Sequence, residues 1–194
     1  MESVAQRWFA AFMETVKTHD TSTALREAAQ CAELKPWTQA LTGIVVGTFT
    51  KMDWRGAARG HRSVLLPVSR SEYLALDAVA FQAAGDRRWR FPVGVFELEN
   101  SPLDDVVAYS LWKVLCVRAS LRVVFCYRRD ASEGAELVGH LAEQVVQSME
   151  IPTRTGLGGE TLLVVGSRSE SATFPYGFFR DWTLEANTGR FRRN

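Results

Sequence analysis

The chain has 194 residues, of which 46% are hydrophobic and 23% charged, with a formal net charge of +1. These are ordinary values for one globular domain with a sizeable core, and a near-neutral molecule is no overall electrostatic magnet for nucleic acid. No apolar run is long enough to span a bilayer, and Met1 to Arg7 lack the basic-then-apolar layout of a secretory signal.

Residues 3–18 place Val4, Trp8, Phe12 and Val16 four apart, which predicts an amphipathic helix. Asp20 to Thr23 is rich in capping residues, so a second helix is expected from about 23 to 34, ending before Pro36. Ile44 to Thr50 is β-branched and aromatic and reads as a strand; Arg55 to Arg62, with two glycines, reads as a loop. Ser63 to Val68 reads as an edge strand or turn entry, since Pro67 interrupts it. Strands are then expected over Tyr73–Phe81 and Phe91–Glu99, separated by a turn at Gly85-Asp86-Arg87. Pro102 opens a helix over 103–118 that is apolar almost all round and is therefore expected to be buried. Leu121 to Tyr127 has the composition of a central strand, and Leu137 to Met149 repeats apolar residues at helical spacing. Thr161 to Val165 is the last expected strand, followed by an aromatic segment from Phe174 to Trp182 that suits core or a dimer surface. This order predicts an α/β sandwich with a mixed sheet, in one domain over 1–194: a helical N-terminal layer at 1–42 and a core at 43–194.

Cys31, Cys116 and Cys126 are odd in number and lie in apolar segments, which favours free thiols in a reducing cytoplasm over disulfides. His19, His61 and His140 are scattered, with no Cys/His pair at zinc-ligand spacing. Arginines gather beside aromatics in three places: Arg55 to Arg70, around Trp89, and around Phe191. Such clusters suit phosphate and base contacts, and equally a solvated surface.

The chemistry-bearing pattern is acidic. Asp77 is a lone acid in an otherwise apolar strand, and alternation puts it on one face with Val79 and Phe81. Glu97 and Glu99 share a face of the following strand, with Phe96 and Leu98 pointing the other way. Neighbouring strands would bring three carboxylates together, a costly arrangement unless a cation or proton compensates. Hard oxygen ligands of this kind suit Mg²⁺ or Mn²⁺, which polarise a phosphoryl oxygen and activate water.

Over residues 71–128 the chain resembles the PD-(D/E)XK superfamily of restriction-endonuclease-like nucleases. The resemblance rests on Ser71 to Asp77, then Val93 to Asn100 with its Glu97-Leu98-Glu99 core, the helix around Tyr109 to Lys113, and the strand Leu121 to Tyr127. It implies a mixed sheet flanked by helices, with Asp77, Glu97 and the carbonyl of Leu98 holding a divalent ion. Glu99 stands where that family's motif has Lys, so the resemblance implies a ligand or base there rather than a cationic clamp. Lys113 is the candidate for a relocated positive charge. Glu14 is a candidate extra ligand, and Glu72 is set aside because strand parity turns it away from Asp77. The expected function is metal-dependent hydrolysis of phosphodiester bonds in nucleic acid, DNA first. The alternative is a nuclease-like protein that binds nucleic acid or a protein partner without catalysis. A homodimer stays open, and no membrane role is expected.

Overall fold

Alternation along the central strands sorts the side chains into two cores, one on each face of a single sheet. The computed structural model describes residues 3–18, 22–31, 34–62, 64–70, 72–85 and 88–194. On strand β4 (Leu121–Arg128), Leu121, Val123, Phe125 and Tyr127 face one core, while Val124 and Cys126 face the other. The sheet has seven strands in sequential order: β1 (Trp54–Ala58), β2 (Ala78–Gln82), β3 (Gly94–Leu98), β4, β5 (Glu160–Ser167), β6 (Phe179–Glu185) and β7 (Arg190–Arg193). The pairs β3–β4 and β4–β5 are parallel and the other four antiparallel. Parallel neighbours need crossovers, supplied by α4 (Asp104–Leu115) and by α5 (Ala131–Leu141) with its π-helical continuation Ala142–Val146 and α6 (Ile151–Thr155). The molecule is thus an α/β protein with a mixed sheet flanked by helices.

The N-terminal helices α1 (Val4–Thr18), α2 (Ser22–Cys31) and α3 (Leu34–Lys51) supply the core on one face. Trp8 and Phe12 of α1 stack on each other and meet Phe96 and Phe125 of the sheet. The segment expected as a strand over Ile44–Thr50 is instead the second half of α3. Its buried residues Leu41, Ile44, Val45, Thr48 and Phe49 recur at helical intervals, and that period outweighs the β-branched composition. Pro36 falls in the first turn of α3, where a missing N–H costs nothing, so it opens this helix rather than ending α2.

The expected loop over Arg55–Arg62 begins as strand β1 and turns only after Ala58. Gly56 sits under the Phe49 ring, which a Cβ would strike, so here glycine marks close packing within a strand. The expected Tyr73–Phe81 strand is only Ala78–Gln82. Before it the chain turns sharply, with Leu74 and Ala75 at φ of 59° and 54° and the Leu76 amide donating to the Tyr73 carbonyl at 3.1 Å. The Phe91–Glu99 strand is likewise shorter, and Phe91 is exposed. The aromatic segment after β5 adds two strands that composition did not reveal, with Phe178, Phe179 and Trp182 buried in core.

Helix α4 corrects a further expectation. Val107, Leu111, Val114 and Leu115 are buried against the sheet, but Val106, Tyr109 and Trp112 lie on an exposed face, with Leu103 just ahead of them. Among the described residues no helix is long and apolar enough to cross a membrane. His19 and Arg87 lie outside the described residues, and so does the Cys31 side chain.

Candidate active site

Asp77 ends the turn that leads into β2, and β2 runs antiparallel to β3 with Ala78 opposite Phe96. That register carries the Asp77 side chain to the carboxyl end of β3, where its Oδ2 accepts the Leu98 amide at 2.8 Å. Glu97 lies on the β3 face turned toward α4, as alternation requires, and is 4% exposed. Lys113, from the last turn of α4, reaches down to the same point. Its Nζ lies 2.7 Å from Glu97 Oε2 and donates to the Ala75 carbonyl at 2.9 Å. The structure therefore brings Asp77, Glu97 and Lys113 together from a turn, a strand and a helix.

Glu99 continues past the end of β3. Its Oε1 accepts the Ser101 amide at 2.7 Å and its Oε2 the Ser110 hydroxyl at 3.3 Å, so α4 supplies partners to both Glu97 and Glu99. Glu99 is near enough to raise the Asp77 pKa, but it is held at the rim by these bonds rather than aimed at Glu97. The carbonyl of Leu98 lies on the strand between the two glutamates, and the Leu98 amide is committed to Asp77.

The electrostatics follow from burial. Glu97 is pushed up to about 7, first by desolvation and then by the Asp77 charge, against the pull of the Lys113 ammonium. Asp77 is also raised, first by desolvation and then by Glu72 and Glu99, against the pull of the Leu98 amide and Lys113. One oxygen of Glu97, Oε1, is buried with no hydrogen-bond partner. A buried acceptor left unpaired is costly unless a proton or cation meets it.

Glu72 enters the site's field after all, because the turn at Leu74 and Ala75 breaks the strand parity that had turned it away. It also stands 4.0 Å from Arg59. Since Ala58 pairs with Ala78, the exposed turn Arg59 to Arg62 leaves β1 at the end where Asp77 enters β2. Glu14, by contrast, pairs with Lys51 at 3.3 Å in the N-terminal helical layer, on the other face of the sheet from Glu97. Arg90 is tied to the carbonyls of Gln82, Ala83 and Gly85, so it closes the turn after β2.

Three partners were not visible as site residues in the sequence: Ser110, Ser101 and the Ala75 carbonyl. Only Ser110 left a signal, since it is a polar residue on the otherwise apolar inner face of α4, three positions before Lys113. Among the described residues no three His, Cys, Asp or Glu side chains stand close enough to form a ready metal cage. The donor set is nonetheless suited to a hard divalent ion. A buried carboxylate with an unpaired oxygen, Glu97, and the half-buried Asp77 meet the need of Mg²⁺ for one or two carboxylates while it keeps several waters. No family model matches the chain, and comparison with curated proteins gives no match.

Proposed function

We propose that this protein is a metal-dependent nuclease of the restriction-endonuclease-like kind, hydrolysing phosphodiester bonds of nucleic acid, with DNA the first substrate to test. The observation that carries this reading is the pairing of buried Glu97 with the partly exposed Lys113 beside Asp77, with Glu97 Oε1 left unpaired. The element order from α3 through β1, β2, β3 and α4 to β4 supports it, because Asp77 immediately precedes β2, Glu97 lies on the adjacent β3, and Lys113 is on the crossover helix.

Asp77 and Glu97 would hold the ion, with the Leu98 carbonyl and Glu99 at its edge. When bound, Mg²⁺ or Mn²⁺ supplies Lewis-acid polarisation of the phosphoryl group and offsets the charge of the carboxylates. The chain's own groups do the rest. Lys113 holds Glu97 in place and presents a positive charge for the oxygens that gain charge as phosphorus is attacked. Glu99, at the rim and anchored through Ser101 and Ser110, would take the proton of the attacking water. The new P–O bond then forms as the bond to the leaving oxygen breaks, and that oxygen takes a proton from solvent. Cys126, buried and unpaired, and Cys116, exposed and unpaired, support a reducing, cytoplasmic setting.

One observation favours the second reading, a nuclease-like binding protein without catalysis. Lys113 already neutralises Glu97, so the pair is satisfied in part without any cation. Calorimetric titration of Mg²⁺ and Mn²⁺ separates the two. The nuclease reading predicts binding in the wild type that vanishes in the Asp77→Ala, Glu97→Ala double variant. Equal heats in both proteins would contradict this assignment of the site.

A further inference from the structure

Helix α4 turns two faces to its surroundings, and both concern the same place. Its inner face gives Ser110 and Lys113 to the acidic site. Its outer face carries Tyr109 and Trp112, 59% and 54% exposed, with their rings stacked at 5.9 Å and 22°. Lys113 joins the two, since its Nζ lies 2.7 Å from Glu97 and 5.9 Å from the centre of the Tyr109 ring. The Tyr109 ring is therefore no farther from the Glu97 carboxylate than those two lengths end to end, a span comparable to one nucleotide step.

Two aromatic rings stacked on each other in water offer a flat apolar face on which a third ring can stack. A second copy of this chain fits poorly. Leu103, Val106, Tyr109 and Trp112, each partly exposed, present on the order of a few hundred Å². A stable dimer buries about 800 Å² per partner, polar surface included, so a second copy would have to draw much of its contact from surface beyond this face. A base needs much less: every base has a flat π-face, and stacking on an aromatic side chain is indifferent to sequence. Positive charge for phosphates lies at the Asp77 end of the site, in the exposed Arg59–Arg62 turn, where Arg59 is held loosely by Glu72 at 4.0 Å.

We propose that Tyr109 and Trp112 form a stacking platform for an unpaired base of the strand whose phosphodiester lies at Asp77 and Glu97, so that the substrate is single-stranded or locally unpaired nucleic acid. This rests on the nuclease reading for the place of the phosphate, but the platform itself is tested by binding alone. A base inside a duplex has both faces covered by its neighbours, so the platform favours single strands over duplex.

The test is fluorescence anisotropy with a labelled oligo(dT) of about fifteen nucleotides and with the same strand in duplex, in chelator so that nothing is cleaved. Wild type is compared with Trp112→Ala, Tyr109→Ala, Trp112→Phe and Asp77→Asn. Trp112→Ala is expected to weaken single-strand binding roughly tenfold and duplex binding little, with Trp112→Phe restoring most of the loss. Sedimentation of wild type and Trp112→Ala accompanies it. Single-strand affinity equal in wild type and Trp112→Ala, or no binding in the wild type, overturns the platform. So does a wild-type dimer that Trp112→Ala dissociates without change in oligonucleotide affinity, which would give the face to a second copy. If Trp112-dependent binding stands while no divalent ion supports cleavage, the platform holds and the nuclease reading alone fails.

Discussion

Glu97 is pulled between two requirements. Burial favours its protonated form, whereas Lys113 and any bound cation favour the carboxylate. Its pKa in the folded chain, about 7, lies above the ordinary 4.5, so the folded state holds that proton more tightly than the unfolded state. The stability tied to this group is fully present below the ordinary pKa and is lost as pH rises through the folded one, between 4.5 and about 7. A cation competing for Glu97 must then stabilise the protein more at about pH 8 than at about pH 5.5. Thermal unfolding with and without Mn²⁺ at the two pH values checks this, and Glu97→Gln should show no such difference between them. Lys113 offers a second test. Lys113→Met leaves Glu97 buried beside Asp77 without its counter-charge. The expected loss is roughly 1–3 kcal/mol by denaturant unfolding, below the range for fully buried pairs because Lys113 is partly exposed. Pairing it with Glu97→Gln should return much of that loss, and a double variant no more stable than Lys113→Met would argue against the coupling.

At the scale of the element, α4 divides its work between faces, and substitutions should follow the division. Leu111 is fully buried between helix and sheet, so Leu111→Ala is expected to cost about 2–5 kcal/mol. Trp112, one position on, is half exposed, and Trp112→Ala should change stability by well under 1 kcal/mol. Urea denaturation of the two variants makes the comparison directly; similar losses would mean that Trp112 is packed. This division also shows where sequence reading stops. Between Leu103 and Leu115 only Asp104, Asp105, Ser110 and Lys113 interrupt the apolar residues, so the segment reads as buried almost all round, and only the packed structure shows which residues the sheet leaves uncovered. Composition misled likewise at Ile44–Thr50, where β-branched residues occupy a buried helical stripe. At Tyr73–Leu76 no glycine announces the positive φ of Leu74 and Ala75, so the turn was read as strand. Strands β6 and β7 were hidden because aromatic core residues and terminal arginines look alike in tails and in strands. What was legible had a strict period or a continuous apolar run: the face of β3 that carries Glu97, the central-strand composition of β4, and the α5 repeat from Leu137. Asp77 stood out as an acid in an apolar run and Glu97 as the end of one. The rim bonds of Glu99 depend on Ser110 and Ser101 arriving from a helix and a loop, which no spacing along the chain records.

Across the whole molecule, one seven-stranded sheet separates the face covered by the N-terminal helices from the face that carries the candidate site. The N-terminal helices fill the first with Trp8, Phe12, Trp37 and Phe49. The second carries α4 and α5, and at its β3 end the acids, Lys113 and the aromatic pair lie together. Arg122 ties the opposite end of the central strands, donating to the carbonyls of Val117, Leu157 and Gly158. The net charge of +1 means that affinity for a polyanion must come from local features such as the Arg59–Arg62 turn rather than from the overall field. The most direct test of the central claim is cleavage of single-stranded and duplex DNA with Mg²⁺ or Mn²⁺, by the wild type and by Asp77→Asn. The account predicts cleavage that requires the divalent ion and falls at least a hundredfold in the variant, the scale of losing a group that stabilises the transition state. Cleavage of equal rate in both proteins, or none with either ion, would contradict it.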